Sequence, residues 1–285
     1  MNAGTTPATP AALERARRRR PGTLARRLPV VLAAAVVALQ VVYPLVPQGT
    51  ARDQLTVATV VVFFAASVTH AAAWRGIRFT AVLLVITAGG GFAVEALGVA
   101  TGLPFGAYTY ADSLGPLVAG VPAIIPLAWT MMAYPAYAVA RRLTTSAAAN
   151  TVVGGWALTS WDLFLDPQMV DAGHWRWEAA GPAILGIPLS NFAGWFLVAT
   201  AMMALLHVAA RAPIPRGRSG DYDVEPGDAP LYGLYLWVYA SSLLGHLAFF
   251  GLPGSAALGG LGMGAVAVPL TLRLYRAHRR AGASR

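Results

Sequence analysis

Apolar residues in this chain come in runs of about 20, divided by short connectors rich in Arg, Gly and Pro. A helix of about 20 residues crosses the roughly 30 Å hydrocarbon layer of a bilayer. The pattern predicts helices over residues 28–47, 54–73, 79–100, 115–140, 148–165, 182–210, 230–250 and 255–274. The fold class that follows is all-α, a polytopic transmembrane helix bundle of about 8 spans. Pro116, Pro122, Pro126 and Pro135 predict a break near one end of the fourth span, because each removes a backbone donor. Pro167 predicts that the fifth helix stops just beyond Asp166. Gly98 and Gly102, and Gly260 and Gly264, read as points of close helix approach. No internal repeat is seen.

Charge orients the spans. The basic residues are all Arg, and 19 of the 21 fall in the 1–27 segment, the 74–78, 141–149 and 211–229 connectors, and the C-terminus. The alternate connectors hold only Arg52 and Arg176. By the positive-inside rule both ends lie in the cytoplasm, N-in and C-in. Residues 1–27 read as a disordered basic cytoplasmic tail, 28–274 as the transmembrane helical domain, and 275–285 as a basic cytoplasmic C-terminus. The first apolar run reads as a transmembrane helix and not a cleaved leader, since no small-x-small site precedes Tyr43-Pro44.

Composition agrees: 56% of residues are hydrophobic and only 12% charged, too few to coat a water-soluble globule. The formal charge of +9 does not form a basic face with interleaved aromatics, so nucleic acid is not expected as a partner and membrane lipid is. With no Cys, thiolate nucleophiles, disulfides and iron–sulfur clusters are excluded. No two His stand at metal-ligand spacing, and no metal is expected. The Gly89-Gly90-Gly91 stretch lacks the spacing and the preceding strand of a dinucleotide loop.

An ionisable group inside a bilayer is a functional candidate by default. Glu95 and Asp162 each lie about one turn from the outward end of a span, and Asp166 shares a helical face with Asp162. Asp112 and His246 fall in the same leaflet, as do Tyr108, Tyr110 and Asn191. Each has a structural alternative: an interhelical hydrogen bond for Glu95, Asp162 and His246, and a solvated loop acid or cap for Asp112 and Asp166. His174 reads as a surface residue of an aromatic belt loop, and His70 and His207 as interfacial.

Several segments then carry a resemblance. They are Leu103-Pro104-Phe105-Gly106-Ala107-Tyr108-Thr109-Tyr110, Gly120-Val121-Pro122 through Ile125-Pro126-Leu127-Ala128-Trp129, Trp161-Asp162-Leu163-Phe164-Leu165-Asp166-Pro167-Gln168-Met169-Val170 with Trp175 and Trp177, and Gly186-Ile187-Pro188-Leu189-Ser190-Asn191-Phe192-Ala193-Gly194-Trp195. On these, over about residues 79–200, the chain resembles the carotenoid hydratase family of membrane proteins, which includes carotenoid 1′,2′-hydratases and bisanhydrobacterioruberin hydratases.

The resemblance implies addition of water across the terminal C=C of an acyclic carotenoid end group, giving a tertiary alcohol without any cofactor. An acyclic carotenoid and water are then the partners, and other membrane enzymes of carotenoid biosynthesis are candidate partners too. The chemistry asks for a carboxylic acid still protonated near neutral pH, and burial of a carboxyl in an apolar bundle works in that direction. The candidate catalytic residues are Glu95, Asp162, Asp166, Asp112 and His246. Either Glu95 or Asp162 is the acid, and the other orients the water. Tyr108, Tyr110, Trp129, Trp161, Asn191 and Trp195 are the candidate substrate-binding residues, with aromatic faces to stabilise a cation.

Three other readings stay open from sequence. A carotenoid end-group cyclase shares the protonation step. A proton-coupled transporter would place its acids near the midplane of inverted repeats, which this chain lacks. A non-catalytic carotenoid-binding membrane protein is the third.

Overall fold

A computed structural model of the chain describes residues 22–178, 181–211 and 227–283. Most of the predicted tail, most of the 211–229 connector and the last two residues lie outside the described residues.

Eight helical rods run among the described residues, close to the predicted register. They are α1 (Thr23–Val42), α2 (Thr50–Arg75), α3 (Ile77–Leu84) continued through a π-turn into α4 (Gly90–Thr101), α5 (Ile125–Leu143), α6 (Ala147–Asp171), α7 (Leu189–Arg211), α8 (Ala229–Ala248) and α9 (Pro253–Ala283). Five of them are long and apolar enough to cross a membrane by length and composition: Thr23–Leu45, Thr50–Arg75, Ile77–Thr101, Leu189–Ala210 and Pro253–Gly282. The molecule is accordingly an integral membrane protein. Helices α5, α6 and α8 do not meet that test; in α5 every residue from Trp129 to Ala140 is buried, so that stretch is enclosed by protein.

The chain is not purely helical. Three antiparallel strand pairs occupy the connectors at one end of the bundle: β1 (Tyr108–Tyr110) with β4 (Trp175–Trp177), β2 (Leu117–Val118) with β3 (Val121–Pro122), and β5 (Ala183–Ile184) with β6 (Ile187–Pro188). Two predicted spans are shortened by them. The fourth begins at Ile125 and not at residue 115, because the Pro116 to Pro122 stretch folds into the β2–β3 hairpin, with Ala119 and Gly120 at positive φ in its turn. The sixth begins at Leu189 and not at 182, after the equivalent β5–β6 hairpin.

Pro167 does not end the fifth helix; α6 continues to Asp171. A proline inside a helix strips the carbonyl four residues earlier of its partner, and in a bilayer that carbonyl must be satisfied from elsewhere. Here Ser255 of α9 donates to the Leu163 carbonyl at 2.7 Å. Pro135 in α5 is treated alike, with Ser67 of α2 donating to the Met131 carbonyl at 3.0 Å.

The end of the bundle opposite the strand pairs is tied by Arg75, which grips both carboxylate oxygens of Asp228 at 2.9 and 2.7 Å. His70, expected to be interfacial, is instead buried there between the Tyr134 hydroxyl at 3.0 Å and the Gly227 carbonyl at 2.7 Å.

Candidate active site

Glu95 sits on α4 two turns before the left-handed cap at Gly102, and it is buried. Three donors converge on its carboxyl group. Tyr108 and Tyr110 donate to Oε2 at 2.5 and 2.9 Å, and the Trp129 indole donates to Oε1 at 3.0 Å. The two tyrosines reach it together because they are two residues apart on β1, hence on one face. Pairing with β4 sets Tyr108 opposite Trp177 and Tyr110 opposite Trp175, so four aromatic side chains form one cover over the acid. Burial, and after it the neighbouring Glu95 carboxylate, hold both phenols far above the ordinary tyrosine range, so each keeps the proton it donates.

Glycines make this approach possible. A Cβ on Gly98 would stand 2.7 Å from the Tyr108 hydroxyl oxygen, and one on Gly91 would stand 2.7 Å from the Trp129 ring. The Gly-rich stretch on the third rod is therefore a seat for the side chains that hold Glu95. Gly98→Ala is expected to push Tyr108 off the carboxyl and cost about 1–3 kcal/mol of stability through overpacking. Thermal unfolding in detergent checks the second effect, and comparison with Tyr108→Phe, which removes the hydroxyl without the clash, isolates the first.

A second acidic centre faces the first. On α6, Asp162 and Asp166 are both buried, one turn apart. The side-chain nitrogen of Asn191, on the first turn of α7, donates to both: to Asp162 Oδ2 at 2.8 Å and to Asp166 Oδ2 at 2.5 Å. The Trp175 indole donates to Asp166 Oδ1 at 3.0 Å. The two carboxyl groups are thus bridged by a single amide nitrogen. Asp162 Oδ1 has no hydrogen-bond partner among the described residues.

Glu95, Asp166 and Asn191 line one small cavity of about 30 Å³, room for a water molecule or two. Tyr108, Tyr110, Trp129, Trp161 and Trp195 line it as well. Trp129 and Trp195 stack at 4.0 Å with their planes 12° apart, and Trp161 meets Trp195 edge-on at 6.3 Å. Asp162 stands behind Asp166 and does not line the cavity.

Two candidates are not brought to this place. Asp112 is exposed in the turn before β2, a solvated loop acid. His246 is buried but does not line this cavity; its ring nitrogens face the Ser242 carbonyl at 2.7 Å and the Phe164 carbonyl at 3.0 Å, so it ties α8 to α6. Trp175 and Trp177 were not among the candidates from sequence, although their alternation about Arg176 is the signature of a strand edge facing the site.

His174 is likewise not a surface residue. It is 1% exposed, with Nδ1 at 2.8 Å from the Ser113 hydroxyl and Nε2 at 3.8 Å from Asp53 Oδ1. Burial lowers its pKa from the ordinary 6.5, and Asp53 offsets this in part. Because the folded value is the lower one, the unfolded chain takes up the proton first, and stability falls as pH drops below about 6.5. The unfolding midpoint in detergent should therefore fall between pH 7.5 and pH 5.5, and fall less in His174→Gln.

The family described as carotenoid biosynthesis protein matches residues 54–228, more than half of the chain and all of the segments that build the site. The chain belongs to that family. Within it, this family member is 36% identical over 111 residues to a protein named bisanhydrobacterioruberin hydratase from Haloarcula japonica, a match that covers 37% of each chain. No solved structure matches the chain.

Proposed function

We propose that this carotenoid biosynthesis protein is a hydratase that adds water across the terminal C=C of an acyclic carotenoid end group, giving a tertiary alcohol by acid catalysis without a cofactor. The observation that carries the reading is the pair of carboxyl centres, Glu95 and Asp166, on one aromatic-walled cavity with room for water. Family membership and the partial likeness to a named hydratase support it.

Two buried carboxyl groups bridged by one amide nitrogen stand too close for both to ionise, so the Asp162 and Asp166 pair holds a proton and is the acid, and Asp166 presents it to the cavity. Glu95, with three donors on it, is the fixed anion. The carboxyl proton passes to the less substituted alkene carbon as the π electron pair forms the new C–H bond. The tertiary cation that results lies against Trp161, beside the Asp166 carboxylate. Water forms the C–O bond and returns a proton to the Asp pair. Acid and base are thus the same pair in two protonation states.

The same proposal places all eight rods across the membrane with both termini in the cytoplasm and the site in the outward leaflet, where the Arg distribution puts it. The apolar polyene enters from the bilayer.

Expression in cells that make lycopene or its elongated relatives, followed by mass and retention analysis of the pigment, tests the reading. Product heavier by one water is expected. Product of unchanged mass and shifted retention would instead make the protein a cyclase, and unchanged pigment would leave it non-catalytic.

A further inference from the structure

A second cavity, about 160 Å³, lies between α1, α2, α5, α6 and α8. It shares a wall with the carboxyl-lined one through Ile125, Ala128, Trp161, Leu165 and Trp175. Its size is close to that of a protein cavity that takes one benzene, which suits a terminal isoprene unit with a water beside it. Most of its lining is apolar, but Gln40 of α1 and Thr59 of α2 both face it. Gln40 Oε1 and Thr59 Oγ1 are buried and have no hydrogen-bond partner among the described residues. Thr59 as a whole is only 8% exposed. Two other hydroxyls in the lining, those of Thr56 and Ser241, already donate to carbonyls of their own helices, Arg52 and Val238.

A buried polar atom without a partner is costly, and in an apolar cavity only an oxygen or nitrogen held there can relieve it. A reaction that adds water to an alkene needs such an oxygen held against the alkene and ready before the cation forms. We propose that Gln40 and Thr59 hold the water that is added, in the larger cavity, with the terminal alkene at the Trp161 and Trp175 border where Asp166 meets it from the smaller one. Gln40 Oε1 accepts one hydrogen of the water, and the Thr59 hydroxyl makes a second bond that turns an oxygen lone pair toward the tertiary carbon. The C–O bond forms at that border, and the released proton returns to the Asp166 carboxylate that gave one to the alkene. The assignment rests on the hydration reading and divides its labour: protonation belongs to the Asp pair, capture to Gln40 and Thr59.

Membranes from cells carrying the full chain, incubated with lycopene in D2O, separate the two steps. The wild type should form hydrate that keeps one carbon-bound deuterium after its hydroxyl has exchanged on extraction. Gln40→Leu and Thr59→Val, at matched expression, should lose hydrate at least tenfold yet still place deuterium in the recovered, unhydrated carotenoid, because protonation and its reversal continue without capture. Thr59→Ser should restore hydrate. Variants that hydrate like the wild type, or that lose deuterium incorporation together with hydration, would overturn the water site while leaving the hydratase reading intact. A wild type that yields no hydrate would overturn the hydratase reading itself, and this assignment with it.

Discussion

Asp166→Asn is expected to cut conversion of an acyclic carotenoid by about 10²–10⁴-fold, the usual worth of a positioned general acid. The amide is nearly isosteric and its oxygen can still accept from Trp175, but its nitrogen then faces the Asn191 donor, so turnover is compared at matched yield of folded protein. Glu95→Gln should be comparably severe for a different reason. Its carboxyl group accepts three hydrogen bonds through two oxygens, whereas an amide offers one acceptor oxygen and a competing donor, so at least one of Tyr108, Tyr110 and Trp129 is turned away. Pigment analysis against membrane-protein yield checks both. Full activity in both variants at normal yield would remove the carboxyl mechanism.

Asn191→Leu should damage folding as well as turnover. One amide nitrogen serves both Asp162 and Asp166, and hydrogen bonds to charged partners are worth about 1.5–3 kcal/mol each. Leu leaves two buried carboxyl groups facing each other with no bridge, on helices that make the most extensive pairing in the bundle. A fall in the unfolding midpoint of the purified protein is expected, larger than that of Asp166→Asn. If Asn191→Leu were as stable as the wild type, the two acids would not need the amide at all.

Much of the bundle was legible in sequence because membrane insertion writes itself as runs of apolar residues, and the rods fall near where those runs are. Residues 115–122 and 182–188 were misjudged for a physical reason: strands of two residues carry no alternation to read, and their Pro and Gly look like interruptions of a helix. Pro167 was misjudged because the remedy for its lost hydrogen bond, Ser255, lies 88 positions later in the chain. The acids stood out since charge in an apolar run is rare. Their partners did not, because a Trp or Tyr in a connector looks like an interfacial anchor until strand pairing turns it inward, as for Tyr108 and Trp175. Gln40 and Thr59 gave no signal whatever, being ordinary polar residues within apolar helices.

The serine repairs of the two proline helices also bear on biosynthesis. When α5 leaves the ribosome, Ser67 has already been made, so the exposed Met131 carbonyl finds its partner in chain that is waiting for it. The Leu163 carbonyl of α6 has no such luck, for Ser255 is translated only with the last helix. Nascent chains stalled before residue 255 should therefore hold α6 loosely, and the acidic pocket it carries would close only once synthesis is complete.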